Sequence, residues 1–80
     1  MLSKINSMRM YLHPSKSLRL SLEGDLAGES VAQLERCWRD LRSIEPREIL
    51  LIDVRDLESA DEDGYRLLDA MRRQGVVVKK

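Results

Sequence analysis

The stretch LLIDVRDLESADEDGYRLLDAM, residues 50–71, decides the fold. It opens on an apolar run, crosses an elbow holding the acids Asp61, Glu62 and Asp63, and then enters a helix that begins near Glu62. The run ILLIDV, from Ile49 to Val54, lacks alternation and suits a central parallel strand covered on both faces. Asp61 stands where an N-cap is needed, and its side-chain oxygen can accept a backbone N–H from the first turn. Glu62 and Asp63 follow inside that turn, where the positive end of the helix dipole favours each negative charge by about 0.3 to 1 kcal/mol. The helix is expected to end near Gln74, with Gly75 in a left-handed cap.

The chain before this stretch reads as two strands and a helix. MRMYL (Met8 to Leu12) and LRLSLEG (Leu18 to Gly24) alternate with period two, and HPSKS between them, with His13 and Pro14, predicts a hairpin loop. Gly24 and Gly28 suit a bend. Ser30 can cap a helix running to about Ser43, with Val31, Leu34, Trp38 and Leu41 in one apolar stripe and Cys37 beside it. Glu35 with Arg39, and Arg36 with Asp40, sit at i,i+4 on the other face. VVV (Val76 to Val78) closes the chain as a short strand. The order is β-β-α-β-α-β: an α/β domain with a mixed four-stranded sheet, two helices and right-handed crossovers. Residues 1–7, MLSKINS, read as a loosely held tail, and residues 8–80 as one domain.

Composition narrows the function. Lys plus Arg (14) balances Asp plus Glu (14), so the net positive footprint of a nucleic-acid coat is absent and no nucleic-acid partner is expected. Acids gather between Asp53 and Asp63 while Arg72, Arg73, Lys79 and Lys80 sit near the end, an asymmetry that favours a partner with a basic surface. No apolar run approaches the roughly 20 residues of a membrane span. One cysteine, Cys37, excludes an internal disulfide, and nothing reads as a signal peptide, so the expected setting is cytoplasmic. Eighty residues form a marginal core, which makes self-association an expectation.

Catalytic and metal chemistry find little support. If Gly64 took the sixth position of a calcium loop, Ser59 and Ala70 would hold the first and twelfth, where carboxylates are required; no metal site is expected. Cys37 borders an apolar stripe and His13 a hairpin loop, so they do not read as a nucleophile and its base. A general acid needs a raised pKa, and a helix N-terminus lowers it. The four glycines are scattered rather than gathered in a phosphate loop. A non-enzyme without a cofactor is the expectation. Trp38 is either a core filler or an interface anchor.

From about Met8 to Val78 the chain resembles the STAS domains, the fold of bacterial anti-sigma factor antagonists and of the cytoplasmic tails of sulfate transporters. The resemblance rests on LSLEGDLAGESVAQLERCWRDL, on ILLIDVRDL and above all on the elbow, where Asp53, Val54, Leu57, Ala60, Asp61, Glu62, Asp63, Gly64, Leu67 and Leu68 meet the family pattern without a gap. It implies a non-catalytic protein-binding module of bacterial signalling, whose partner is an anti-sigma factor or kinase. The implied docking surface comprises Glu58, Ser59, Asp61, Glu62, Asp63, Gly64, Tyr65 and Arg66, with Gly64 allowing close approach of a partner.

Two departures shape that expectation. The family's phosphoacceptor serine is replaced by Asp63, which has no hydroxyl and carries one charge where phosphoserine carries about 1.5 to 2. STAS domains also usually continue past the last strand into a further helix, whereas this sequence stops at Lys80. Either that helix was cut away or another molecule covers its surface, and a homodimer, perhaps with exchanged elements, is the preferred assembly. The competing readings are a self-associating structural module and a ligand- or nucleotide-sensing STAS domain.

Overall fold

The computed structural model describes residues 8–14, 18–44 and 50–80. The expected tail at 1–7 and the loop residues 15–17 lie outside them. The elements are β1 (Met8–Pro14), β2 (Leu18–Leu26), α1 (Glu29–Ile44), β3 (Leu50–Ala60), α2 (Glu62–Arg73) and β4 (Val77–Lys79). The order is the one expected from the sequence, β-β-α-β-α-β in one mixed sheet. Strands follow the order β1-β2-β3-β4, with β1 antiparallel to β2 and the remaining pairs parallel.

Register sorts the side chains. Met8, Met10, Leu20, Leu22, Leu50 and Ile52 share one face, and with Leu34 and Trp38 of α1 and Leu67 and Met71 of α2 they form the core. Leu20, Leu22, Leu26, Leu34, Ile52 and Met71 are fully buried. Each such burial contributes about 1.5 to 3 kcal/mol, so these six carry most of the hydrophobic stabilisation. Trp38 belongs to the core, with the Arg42 guanidinium 5.3 Å from its ring centroid, so packing is its role here.

Both described helices therefore lie on one face, and among the described residues the expected cover on the second face of β3 is absent. The opposite face carries Arg9, Tyr11, His13, Arg19, Ser21, Leu51, Asp53, Val77 and Lys79. Tyr11 and Val77 are nearly half exposed there. The unbroken apolar run misled because Leu51, on the uncovered side, is as hydrophobic as its buried neighbours.

Three local expectations shift as well. His13 and Pro14 continue β1 rather than forming the loop; His13 pairs with Arg19, and its Nε2 lies 3.1 Å from the Ser21 hydroxyl. Proline is tolerated at the end of an edge strand, where its missing N–H costs no ladder bond. Gly24 lies inside β2 at φ 95, beside a register shift, so it serves a bulge rather than a bend. Ser30 does not cap α1, which starts at Glu29. Its buried hydroxyl lies 2.9 Å from Asp25 O and 2.6 Å from Ala27 O, and it accepts the Ala27 N–H.

The end of α2 follows expectation. Gly75 at φ 99 donates to Arg72 O, and Val76 donates to Met71 O, which is the paired bonding of a Schellman cap. Val76 is thereby drawn into the core, and β4 begins one residue later than the VVV run suggests.

Candidate functional site

β3 ends at the elbow, where the Asp61 N–H donates to Leu26 O at 3.0 Å and ties the ends of β2 and β3 together. Asp61 then takes extended backbone angles, φ −87 and ψ −177, and caps α2 as expected: its Oδ1 accepts the Gly64 N–H at 2.8 Å. Its Oδ2 accepts a second N–H, that of Gly28 at 3.2 Å, immediately before α1. One carboxylate therefore serves the starts of two helices, whose positive dipole ends converge on it. Nearby, the Ser59 hydroxyl donates to Asp25 Oδ1 at 2.6 Å across the β2–β3 pair.

The acids beyond Asp61 have no such internal task. Among the described residues Glu62 and Asp63 pair only with Arg66, at 3.0 Å and 3.7 Å, and all three side chains are at least 70% exposed. Ion pairs this exposed contribute about 0.2 to 1 kcal/mol, so they do not explain why the charges gather here. Glu58, Ser59 and Tyr65 are exposed too. The structure thus brings Ser59, Asp61, Glu62, Asp63, Tyr65 and Arg66 to one corner, with Glu58 on the strand leading into it.

Gly64 is the exception. It is buried, and a Cβ built on it would lie 2.6 Å from Leu26 O and 2.9 Å from Leu26 Cγ. The close approach it permits is that of its own chain's β2, which corrects the expectation that it makes room for a partner.

Sequence reading also missed a charged cluster on the uncovered sheet face. Asp53 is buried, yet Arg55 grips it with Nε at 3.0 Å from Oδ1 and Nη2 at 2.7 Å from Oδ2, while the Arg55 N–H donates to Oδ1 at 3.0 Å. Arg19 adds a contact at 3.7 Å. The Arg55 side-chain and backbone hydrogen bonds hold the Asp53 carboxyl far below the usual carboxylate range. The available signal was an aspartate inside an apolar run with an arginine two residues on, on the same side of the strand.

A pH dependence follows. Because the folded pKa is lowered, the carboxylate's stabilisation is present above the unfolded value, about 4, and is lost as pH falls below it toward the folded one. Asp53→Asn is therefore expected to cost most stability at neutral pH, with the gap to wild type narrowing only in strongly acid solution. Urea denaturation of both proteins across that range checks the trend; a gap independent of pH would contradict it.

Elsewhere, a cleft of about 490 Å³ opens between β3, α2 and the end of β4, with Val54, Leu57, Ala60, Leu68 and Val78 as its apolar lining. Tyr65 and Ser59 stand on its elbow side, Arg72 and Lys80 on the other. Cys37 is half-buried on α1; burial first, and the Asp40 charge second, push its thiol pKa up, which leaves little thiolate at neutral pH. Among the described residues no three carboxylate, imidazole or thiol side chains gather as metal ligands, and no helix is long and apolar enough to cross a membrane.

No protein-family profile and no curated protein matches the chain.

Proposed function

We propose that this domain is a non-catalytic protein-binding module of the anti-sigma factor antagonist type. It acts in the cytoplasm of a bacterium and docks an anti-sigma factor or a related kinase through the elbow. The observation that carries the reading is the division of labour among the elbow acids. Asp61 is engaged with Gly64 and Gly28 N–H groups, whereas Glu62, Asp63 and Tyr65 stand exposed around it, the two acids held by no more than the helix dipole and exposed pairs with Arg66. In this reading Asp63 is a fixed charge, a partial imitation of phosphoserine where relatives of this type switch a serine, so phosphorylation cannot switch binding at this position. The STAS resemblance of the elbow supports the choice of partner class.

Wild-type, Asp63→Ser and Asp63→Lys proteins used as baits in cell lysate test it. Capture of a histidine-kinase-like anti-sigma factor by wild type, lost with Asp63→Lys, is the expected result, and Asp63→Ser is expected to accept phosphate from that kinase. Capture that ignores position 63 would remove the switch surface from the account.

A homodimer is the second reading, favoured by one observation. β2, β3 and β4 are mutually parallel, and parallel sheets are normally covered on both faces, yet Leu51, Tyr11 and Val77 lie on a face that no helix among the described residues covers.

A further inference from the structure

The sheet face away from the helices is lined with charge. Arg9, Arg19, Arg55 and Lys79 are exposed there, beside the two acids Glu23 and Asp53. Arg55 grips the buried Asp53 and Arg19 lies 3.7 Å from it, so both guanidiniums are held in place. The grip uses Nε and Nη2 of Arg55, which leaves Nη1 to donate to another acceptor. These residue types make an outer surface: burying the four cations beneath apolar side chains would strip their water without supplying acids.

Apolar side chains sit among the cations. Leu51 and Val77 are register partners, Arg19 flanks Leu51 on β2, and Lys79 lies two residues beyond Val77 on the same side. The elbow has the same make-up with the opposite sign. Tyr65 is exposed in the first turn of α2, among Glu58, Glu62 and Asp63. An apolar centre within a polar rim is the usual anatomy of a protein contact, and complementary charge on the rims selects which surfaces meet. Two sheet faces cannot meet in this way, because cations would confront cations.

We infer that the sheet face receives the elbow of a second copy of this chain, with Tyr65 on Leu51 and Val77, and with Glu62 and Asp63 beside Arg19 and Lys79. The contact joins two different surfaces, so it runs head to tail from copy to copy. This goes beyond the elbow reading, because the occupant is the chain itself. A stacked copy hides Asp63 and Tyr65, so self-assembly and capture of another protein compete for one site.

Sedimentation velocity over a range of protein concentrations, in low and in high salt, tests it. Wild type is expected to associate in low salt and to return to monomer in high salt. Two variants each reverse one surface: Glu62→Lys with Asp63→Lys at the elbow, and Val77→Glu with Lys79→Glu on the sheet face. Each alone is expected to weaken association by about tenfold or more. Mixing the two is expected to restore it, which also shows that both are folded. A measurement on wild type needs no variant: the amides whose NMR shifts move on dilution are expected to fall on both patches, at residues 58–66 and at Arg19, Leu51, Val77 and Lys79. Monomer at every concentration in low salt, association that strengthens with salt, or shifts confined to one patch overturns the inference, as does a mixture of folded variants that stays monomeric. If wild type is monomeric while lysate capture depends on Asp63, stacking falls and the elbow reading stands; if copies stack and capture ignores Asp63, the reverse holds.

Discussion

Gly64→Ala is expected to destabilise the domain by about 2 kcal/mol, although alanine is intrinsically the better helix former by about 1 kcal/mol. The added Cβ would lie 2.6 Å from Leu26 O, closer than side-chain carbons come to a carbonyl. Leu26 O cannot move aside freely, because it accepts the Asp61 N–H at 3.0 Å. Leu26 is itself fully buried, so its Cγ at 2.9 Å has little room to give. Overpacking of this kind costs about 1 to 3 kcal/mol, and a backbone obstacle puts it at the upper end. In a domain of this size the net loss would lower the melting temperature by roughly 8 to 16 °C. Gly28→Ala separates crowding from backbone strain: Gly28 sits at φ 59 with nothing within 4 Å of its built Cβ, so only strain of about 1 kcal/mol applies. Thermal unfolding of the two variants should rank Gly64→Ala well below Gly28→Ala, and equal losses would mean that α2 can shift away from β2.

Asp61→Ala should cost about 2 kcal/mol, roughly twice an ordinary cap. The Gly64 N–H loses its acceptor at 2.8 Å, and the Gly28 N–H loses the same carboxylate at 3.2 Å. Each bond contributes about 0.5 to 1.5 kcal/mol, and the charge between two dipole ends adds a few tenths more. Asp61→Asn keeps one acceptor oxygen but sets an amide N–H donor against the other N–H group, so it should recover about half of the loss at most. Asp63→Ala, which removes only an exposed ion pair 3.7 Å long, should fall within about 0.5 kcal/mol of wild type. Urea titrations of the three variants decide the matter; similar losses at positions 61 and 63 would mean that capping is not what separates these acids.

The element order was legible in the sequence because each element carries a local signal. Leu34 and Trp38 keep a helical period, Asp61 and Gly75 mark the ends of α2, and the alternation of β1 and β2 survives contact with the fold. What escaped was decided by contacts distant along the chain. Asp61 could be read as the cap of its own helix, but its bond to Gly28 joins residues 33 apart, and nothing local announces it. Gly64 looked like an opening for a partner because its neighbours are exposed; the obstacle it avoids, Leu26, lies in another strand. β3 runs on to Ala60, well past the apolar ILLIDV, because the polar residues from Arg55 onward are held by the β2 ladder rather than by burial. The cleft beside it is lined from β3, α2 and the end of β4 together, which no single element announces.

The Asp61 carboxylate also bears on how the domain opens locally. It accepts the Gly28 and Gly64 N–H groups at once, so displacing Asp61 frees the first turns of both helices together. Hydrogen exchange at the starts of α1 and α2 is therefore expected to report one shared opening event. Two segments that are distant in sequence would then loosen and close as a single unit.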